Sequence, residues 1–541
     1  MKNTLIISVL FLILVSCYQG DSADLIIRNA RIHKGDFGGA IYEAMAIKNG
    51  RIIEIGPERQ ILNKYKSSKV IDAGGRHIYP GLIDAHAHLI SYADQLLSVQ
   101  LSGSKSMTEV IEKCQLYHEK FKYNFIQGRG WDQSLWSDSR LPTNQEISNL
   151  YDSIPVCLFR IDGHAVLVND YLLKKAGITS KTTVEGGEVI LINNKPTGLL
   201  LDNAIELIKP FIPDFPLNQK IDAFKQIEKE LFEFGITGIH EAGIHNKDIS
   251  FLHKLIDNHD FKLNIYAMLY ATKENFEFVE KNGKYNYKNL SIRSFKAMSD
   301  GALGSYGALL KKKYSDHDHF GIAVSSIKEL RKLALFCLKH DYQMNTHCIG
   351  DSANSIVLNL IEKVNNENKN HRFRIEHAQV IDTQEFEKFR NFNVIPSVQP
   401  THATSDMRWA ENRIGKERMQ GAYAYRTLLE NAGLIVLGTD FPVEKTNPFL
   451  TIHSSVQRKN EQNQPTSGFM KNESLTLYQT LLGMTYWPAY ASFDESNRGN
   501  LVEGKIADFV IMEQEINSTS DYSPNFSWKT FIGGEEVYSA E

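Results

Sequence analysis

The chain has 541 residues, of which 42% are apolar and 23% charged, so it can bury a large core and divide into two or three domains. Its formal net charge is −4, and acidic and basic residues are spread along its whole length. Because there is no basic block to bind a phosphate backbone, we exclude nucleic acid as a partner and expect a small-molecule substrate.

Residues 1–17 are expected to be a targeting segment that takes no part in the fold. An apolar run over 5–15 is shorter than the ~20 residues that span a bilayer. Ser16 directly before Cys17 resembles a bacterial lipobox; the alternative is an ordinary signal peptide. We therefore expect export to the periplasmic side and anchoring through a lipid on Cys17. The outer membrane is favoured over the inner because Tyr18, not Asp, follows the cysteine.

Both ends of the chain are rich in short apolar runs separated by turn residues. In the first, 24–80, the runs 25–27 and 44–47 are followed by the turn pair Asn49-Gly50. The same pattern returns within 491–541, for example over 507–511. We predict one small β-sandwich domain built from both termini.

Between these ends, residues 81–490 alternate β-like runs with helical patterns, which is typical of parallel βα units. Eight runs supply the strands of a barrel; they are 82–85, 236–240, 263–269, 292–298, 343–346, 373–376, 394–398 and 434–439. Two further strand-like runs, 125–127 and 156–160, are assigned to a long insertion, 90–230, after the first barrel strand. The predicted fold class is therefore α/β, a (β/α)8 TIM-like barrel that carries the β-sandwich and the insertion.

Residues that bind metals recur where the predicted strands end, and a lysine lies inside one apolar run. They are His86, His88, Lys296, His347, His377 and Asp440. On an extended chain, residues two apart point to the same side, so His86 and His88 can approach one ion together. Barrel active sites form at the carboxyl ends of the strands, where all six converge. Imidazole with carboxylate oxygen suits zinc or a similar divalent ion.

These residues lie in motifs that resemble the amidohydrolase superfamily. The resemblance covers residues 24–540 and is closest to the amidohydrolase-3 branch, which includes exoenzyme-regulator-like proteins and N-substituted formamide deformylases. The motifs are GLIDAHAH at 81–88, GHA at 163–165, DGALGS at 300–305, THCIGD at 346–351, EHAQ at 376–379 and GTDFPVE at 438–444. Their number and order imply a metal-dependent hydrolase.

The resemblance also implies how the ligands divide between one or two divalent ions, with zinc favoured. His86, His88 and Asp440 would bind the more buried ion, and His347 with His377 the second. Lys296 would bridge both as a carbamate formed with CO2. If Lys296 is instead neutral or ion-paired, the site can hold a single metal.

The same resemblance implies catalytic roles for two residues. Bound metal would activate a hydroxide nucleophile, and Asp440 would move a proton from the water to the leaving group. His164 would contact the substrate carbonyl or its oxyanion; a structural role is the alternative.

Several other residues are weaker candidates. Glu241, which follows His240 at the second strand, could reach the site, although a salt bridge or supporting hydrogen bond is favoured. Further residues that could line the pocket or touch substrate are Trp131, Asp132, Gln399, His402 and Arg408. The histidines not expected to bind metal are His33, His77, His118 and His402.

We expect hydrolysis of a C–N bond in an amide, formamide or N-acyl compound. Alternatives are an esterase or lactonase using the same site, a non-hydrolytic isomerase on this fold, and a lipoprotein that binds a ligand without turnover. The intact ligand set argues against the last. Apart from a small-molecule substrate, the expected partner is the membrane, through the N-terminal lipid only, and a homodimer stays open.

Overall fold

The computed structural model describes residues 20–35, 39–122, 124–138, 140–364, 370–517 and 527–540. The predicted lipidation site, Cys17, lies outside these residues. Within them, every helix is too short or too polar to cross a membrane.

The residues before the barrel form short strands and a helix. They are β1 (Asp21–Ser22), β2 (Leu25–Arg28), β3 (Arg31–His33), β4 (Ile41–Tyr42), β5 (Ala44–Lys48), β6 (Arg51–Gly56), α1 (Glu58–Lys64), β7 (Tyr65–Lys66), β8 (Val70–Asp72) and β9 (His77–Pro80). Four of these strands pair in the order β6-β5-β2-β8 to make the first layer of the small β-sandwich.

The first barrel strand, β10 (Leu82–Ala87), leads directly into the insertion. The elements of the insertion are α2 (Leu89–Leu96), β11 (Val99–Gln100), α3 (Met107–Phe121), β12 (Ile126–Trp131), α4 (Gln145–Leu150), β13 (Val156–Arg160), β14 (Ala165–Val168), α5 (Asp170–Lys175), β15 (Gly187–Ile192) and β16 (Lys195–Asp202). Its strands pair in the order β11-β12-β13-β14-β16-β15. An apolar cluster that includes Val99, Ile126 and Leu158 packs within the insertion, which therefore has a sheet and a core of its own.

The rest of the barrel follows the insertion. Its elements are α6 (Leu217–Glu233), β17 (Ile236–Ile244), α7 (Asn246–His259), β18 (Asn264–Tyr270), α8 (Lys273–Asn282), β19 (Tyr285–Tyr287), β20 (Leu290–Met298), α9 (Ile327–His340), β21 (Gln343–Cys348), α10 (Asp351–Val364), β22 (Arg374–His377), α11 (Phe386–Asn391), β23 (Ile395–Val398), α12 (Pro400–Asp406), α13 (Ala410–Arg418), α14 (Tyr425–Ala432) and β24 (Val436–Leu437). Parallel neighbours run in the order β10-β17-β18-β20-β21-β22-β23-β24. Each predicted barrel strand overlaps one of these, which confirms the fold class.

The two ends of the barrel sheet meet between β24 and β10. The Asp440 N–H donates to the His86 carbonyl over 2.7 Å, and the His88 N–H donates to the Phe441 carbonyl over 2.8 Å. Gly438 makes this approach possible, because a Cβ there would lie 2.4 Å from the His86 nitrogen. The first and last strands therefore deliver their terminal side chains to one place.

The chain then returns to the β-sandwich. The last elements are α15 (Pro448–Val456), α16 (Leu477–Gly483), α17 (Tyr486–Ala491), β25 (Phe509–Met512), β26 (Ser527–Ile532) and β27 (Glu535–Ser539). They complete a sheet in the order β27-β26-β25-β9-β3-β4, in which β25 is antiparallel to β9. An apolar cluster joins this sheet to the first layer and contains Leu25, Ile47, Ile78, Phe509 and Phe531. Strands from both termini thus share one core.

Phe531→Ala tests whether the C-terminal strands hold the β-sandwich together. The Phe531 ring is fully buried and stacks on Phe509 with centroids 4.4 Å apart. Its truncation should lower the free energy of unfolding by about 3–5 kcal/mol in a denaturant titration followed by circular dichroism. Leu335→Ala, at an exposed position on α9, is the matched control. Equal losses in the two variants would show that this core does not contribute as described.

Candidate metal centre

Three of the predicted ligands form a tight group where β10 and β24 end. His86, His88 and Asp440 offer ligand atoms that all lie within 4.8 Å of one another. Asp440 Oδ1 lies 3.2 Å from His88 Nε2 and 3.6 Å from His86 Nε2. Lys296 Nζ, from β20, lies 3.3 Å from His86 Nε2. Imidazoles, a carboxylate and an amine therefore face one small volume.

The remaining two predicted ligands adjoin this group. The ring centroids of His347 and His377 are 4.5 Å apart, and those of His377 and His86 are 4.9 Å apart. His377 Nδ1 is hydrogen-bonded to Gln399 Oε1 over 2.8 Å, so the amide of Gln399 fixes this ring from behind. The structure thus brings together all six residues that the sequence analysis selected.

His402 belongs to the same cluster, although the sequence analysis expected it not to bind metal. His377, His402 and Asp440 form a second group of close ligand atoms, and His402 Nε2 lies 3.6 Å from Asp440 Oδ2. His402 comes from α12 and not from the end of a strand, so the strand-end pattern gave no signal for it.

The backbone is strained at two candidate ligands, one at the last residue of β22 and the other three residues after β24. His377 has φ +72° and Asp440 has φ +62°, both in the left-handed region. Such a conformation costs a non-glycine residue of order 1–3 kcal/mol and persists where the surrounding structure enforces it. Here the strain turns the chain sharply at the points where an imidazole and a carboxylate enter the centre.

A buried ion pair orients the first histidine. Glu376 Oε2 is 2.5 Å from His86 Nδ1, and Glu376 Oε1 is 2.8 Å from Arg374 Nε. Although burial opposes ionisation, Arg374 and His86 hold the pKa of Glu376 below its usual range. A carboxylate at Nδ1 places the proton there and leaves Nε2 of His86 free to coordinate. Sequence reasoning missed this role, although two charges two residues apart on the buried strand β22 could have signalled it.

Burial sets the charge of the other groups. It lowers the pKa of His86 to about 4, aided by the charge of Lys296, and lowers the pKa of His88 as well. Burial also lowers the pKa of the Lys296 amine. Neutral imidazoles are the form that binds metal.

The comparison with known proteins decides the family. Residues 69–538 match the amidohydrolase family. The chain belongs to the amidohydrolase family. Three relatives are similar to it over nearly their whole lengths. They are protein LONG AFTER FAR-RED 3 of Arabidopsis thaliana (30% identical; 96% of this chain and 92% of the relative), putative amidohydrolase YtcJ of Bacillus subtilis (30%; 93% and 98%) and N-substituted formamide deformylase of Arthrobacter pascens (23%; 91% and 94%).

A solved structure supports the fold of this amidohydrolase. An uncharacterized metal-dependent hydrolase from Pyrococcus horikoshii superposes with a TM-score of 0.75 at 24% identity, covering 93% of this chain and 99% of that one. The predicted resemblance is therefore confirmed at the level of the family. The protein is a metal-dependent hydrolase of the amidohydrolase superfamily that acts on a small molecule.

His164, the predicted substrate contact, lies at the edge of the amidohydrolase centre. Its ring centroid is 4.9 Å from that of His347, and its Nδ1 is 2.7 Å from Asp202 Oδ1. Burial lowers the pKa of His164, but the hydrogen bond and charge of Asp202 outweigh it and raise the pKa above the ordinary value. Asp202, at the end of β16 with φ +47°, was not foreseen from the sequence.

Most of the weaker candidates have structural partners. Glu241 accepts hydrogen bonds from Leu89 N over 2.5 Å and Ile90 N over 3.4 Å, so it supports the start of α2, as the favoured interpretation expected. Trp131 is buried and donates to the Leu158 carbonyl. Asp132 forms an ion pair with Arg160, and Arg408 is exposed. His33 is hydrogen-bonded to His77, and these two histidines form, with Glu515, a separate group of close ligand atoms in the β-sandwich.

Two cavities lie away from the centre. One of about 570 Å³ lies beside α3, and one of about 360 Å³ lies where β18 and β20 begin. Neither is lined by the predicted ligands. Barrel enzymes have their active sites at the carboxyl ends of the strands. The cluster of candidate ligands is therefore a better guide to the active site here than the size of a cavity.

Glu376→Gln tests the orientation of His86. The amide should weaken the hold on the Nδ1 proton and lower metal affinity by about 10- to 100-fold. Metal content after dialysis against a graded chelator series measures this, with Glu277→Gln on the exposed face of α8 as the control. Thermal unfolding of the metal-free forms separates lost affinity from a damaged fold. Unchanged metal retention in Glu376→Gln would contradict the assigned role.

Proposed function

We propose that this amidohydrolase cleaves the C–N bond of an amide, formamide or N-acyl compound, with one or two divalent ions held by the residues of the candidate centre. The observation that carries the proposal is the group of His86, Lys296 and Asp440, all buried, with the half-buried His88 at the closure of the barrel. A divalent ion bound there would lower the pKa of water and polarise a carbonyl oxygen.

The side chains of the centre fit such an ion. Asp440 Oδ1 and His402 Nε2 are buried and have no hydrogen-bond partner within the described residues. Leaving buried polar atoms unpaired costs about 1–3 kcal/mol each, and coordination would remove that cost. Neutral nitrogens with carboxylate oxygen suit zinc, which is the ion we favour.

The ligands divide into two sets in this proposal. His86, His88 and Asp440 would hold one ion, and His347 with His377 would hold a second. His402 is an additional donor beside His377, since it lies in the group that also contains Asp440.

Lys296 would bridge the two ions, as the family resemblance implies, and its surroundings support this role. Its amine is buried and burial lowers its pKa, which favours the neutral form that reacts with CO2. The nitrogen adds to the carbon of CO2 and loses one proton, giving an anionic carbamate. Asn345, paired with Lys296 in the strand register, has both amide atoms buried and without a hydrogen-bond partner in the described structure, so it can support the carbamate.

Asp440 is the proton carrier. Although burial opposes ionisation, His88 and His86 hold its pKa well below the ordinary value, so Asp440 is an ionised carboxylate. It takes up the proton that the attacking water loses and passes it to the leaving nitrogen. His164, with Nδ1 engaged by Asp202, keeps Nε2 available to donate to the substrate carbonyl oxygen.

The relative named N-substituted formamide deformylase, at 23% identity, supports a C–N bond as the target. An ester or lactone carbonyl is open to the same attack. A panel of formamides, N-acyl amino acids, dipeptides and esters therefore decides the bond. Hydrolysis of esters alone would overturn the C–N assignment while leaving the metal centre in place.

Asp440→Asn should abolish turnover. Loss of the proton carrier should lower kcat by about 10²- to 10⁴-fold on the best substrate of the panel. Elemental analysis should find close to two divalent ions per chain in the unmodified protein and most of them in the variant. Asp214→Asn, at an exposed position, is the control. Full activity in Asp440→Asn, or an active protein free of metal, would refute the mechanism.

Lys296→Ala should lower both metal content and activity, because the bridge is lost. Acetate or propionate added to the variant should restore part of each, since a short carboxylate can occupy the place of the carbamate. Lys328→Ala, at an exposed position on α9, should behave like the unmodified protein. If Lys296→Ala keeps full metal content and activity, Lys296 does not bridge the ions.

A further inference from the structure

Arg129, on strand β12 of the insertion, is a cation without a matching anion. Its Nη2 donates to the Ile161 carbonyl over a long 3.3 Å, and its Nε is buried with no hydrogen-bond partner among the described residues. Within that part of the chain, no carboxylate oxygen lies within 4.0 Å of its nitrogens. Burial accordingly lowers the pKa of its guanidinium, although the more distant charges of Asp162 and Asp440 act to raise it.

The neighbouring arginine shows what a satisfied guanidinium looks like in the same sheet. Arg160, on β13, donates to Asp132 over 2.8 Å and to Gln133 Oε1 over 2.8 Å, and it forms an ion pair with Asp162. Asp132 and Asp162 are thus both paired with Arg160. Arg129 is left with capacity to bind an anion.

Arg129 lies on the side of the insertion that faces the metal centre. A Cβ at Gly163 would be 3.1 Å from Arg129 Nη2, and Gly163 directly precedes His164, whose ring packs against His347. The positive charge of Arg129 also contributes to the lowered pKa of His88. The guanidinium therefore borders the place where a substrate carbonyl would meet His164.

The backbone that carries Arg129 is held firmly. Glycines stand on both sides of Arg129. A Cβ at Gly128 would lie 3.0 Å from the side chains of Leu101 and Leu158, and a Cβ at Gly130 would lie 2.3 Å from that of Ser102. Strands packed this closely to their neighbours fix a side chain better than a loop does.

We propose that Arg129 binds a carboxylate of the substrate, which makes N-acyl or N-formyl amino acids the substrate class. This rests on the proposed C–N hydrolysis. A guanidinium can donate two parallel N–H bonds to a carboxylate, and such charge-assisted pairs are strongest where water is excluded. Water adds across the C–N bond, so the products are a carboxylic acid and a free amino acid.

The test compares N-formyl and N-acetyl leucine with N-formyl and N-acetyl isoamylamine, which lack only the carboxylate. Arg129→Gln should lower kcat/KM for the acids by about 10- to 100-fold and leave that for the neutral amides within about 2-fold. Arg129→Lys should recover part of the loss. Arg331→Gln, at an exposed position on α9, is the control. Metal content should be the same in all four proteins.

The outcomes separate this inference from the proposed function. An equal loss on acids and neutral amides would overturn the role of Arg129 and leave C–N hydrolysis standing. The same holds if the unmodified enzyme prefers the neutral amides. Ester hydrolysis without any amide hydrolysis would overturn the proposed function instead. In that case calorimetric binding of N-acetyl leucine to the metal-loaded protein, lost in Arg129→Gln, would still support the carboxylate site, and equal binding would refute it.

Discussion

The centre depends on one buried network inside the barrel, built around Arg374. Its guanidinium donates to the Ala85 carbonyl over 2.6 Å and to Ser397 Oγ over 2.8 Å, and it pairs with Glu376. It therefore ties β10, β22 and β23 together directly below the ligands. A buried ion pair is costly to desolvate, but removing one partner would leave the other charge buried and uncompensated. The Glu376 carboxylate of this network also binds His86 Nδ1. The interactions that hold the strands together therefore also orient a candidate metal ligand.

The closure of the barrel constrains the position of Asp440 in a second way. Asp84 accepts hydrogen bonds from the backbone and hydroxyl of Thr439, over 3.0 and 2.6 Å, and burial raises its pKa to about 7. This links the start of β10 to the segment that ends in Asp440. With Gly438 admitting the close approach, the left-handed turn at Asp440 has little freedom. The backbone strain at Asp440 is thus offset by the hydrogen bonds that Thr439, one residue earlier, makes to Asp84.

Periodicity predicted the barrel well because a parallel strand buried on both faces is an apolar run whose polar side chains appear where it ends. That rule found His86, His347, His377 and Asp440, which all lie at such ends. The last strand is shorter than expected, Val436–Leu437 instead of 434–439, and the residues after it close on β10. His402 and Asp202 could not be found this way. One comes from a helix and the other from the insertion, and only tertiary packing places them beside the histidines.

The division of labour between the two parts of the chain follows from this geometry. The candidate metal ligands come from the barrel, or in the case of His402 from the helix that follows β23. The proposed substrate contacts, His164 and Arg129, come from the insertion, as does Asp202, which holds His164; the insertion has its own sheet and core. A separate core lets the insertion change without disturbing the network around Arg374. In the proposed function, the barrel therefore supplies the reaction chemistry, while Arg129 on β12 would select the charge of the substrate.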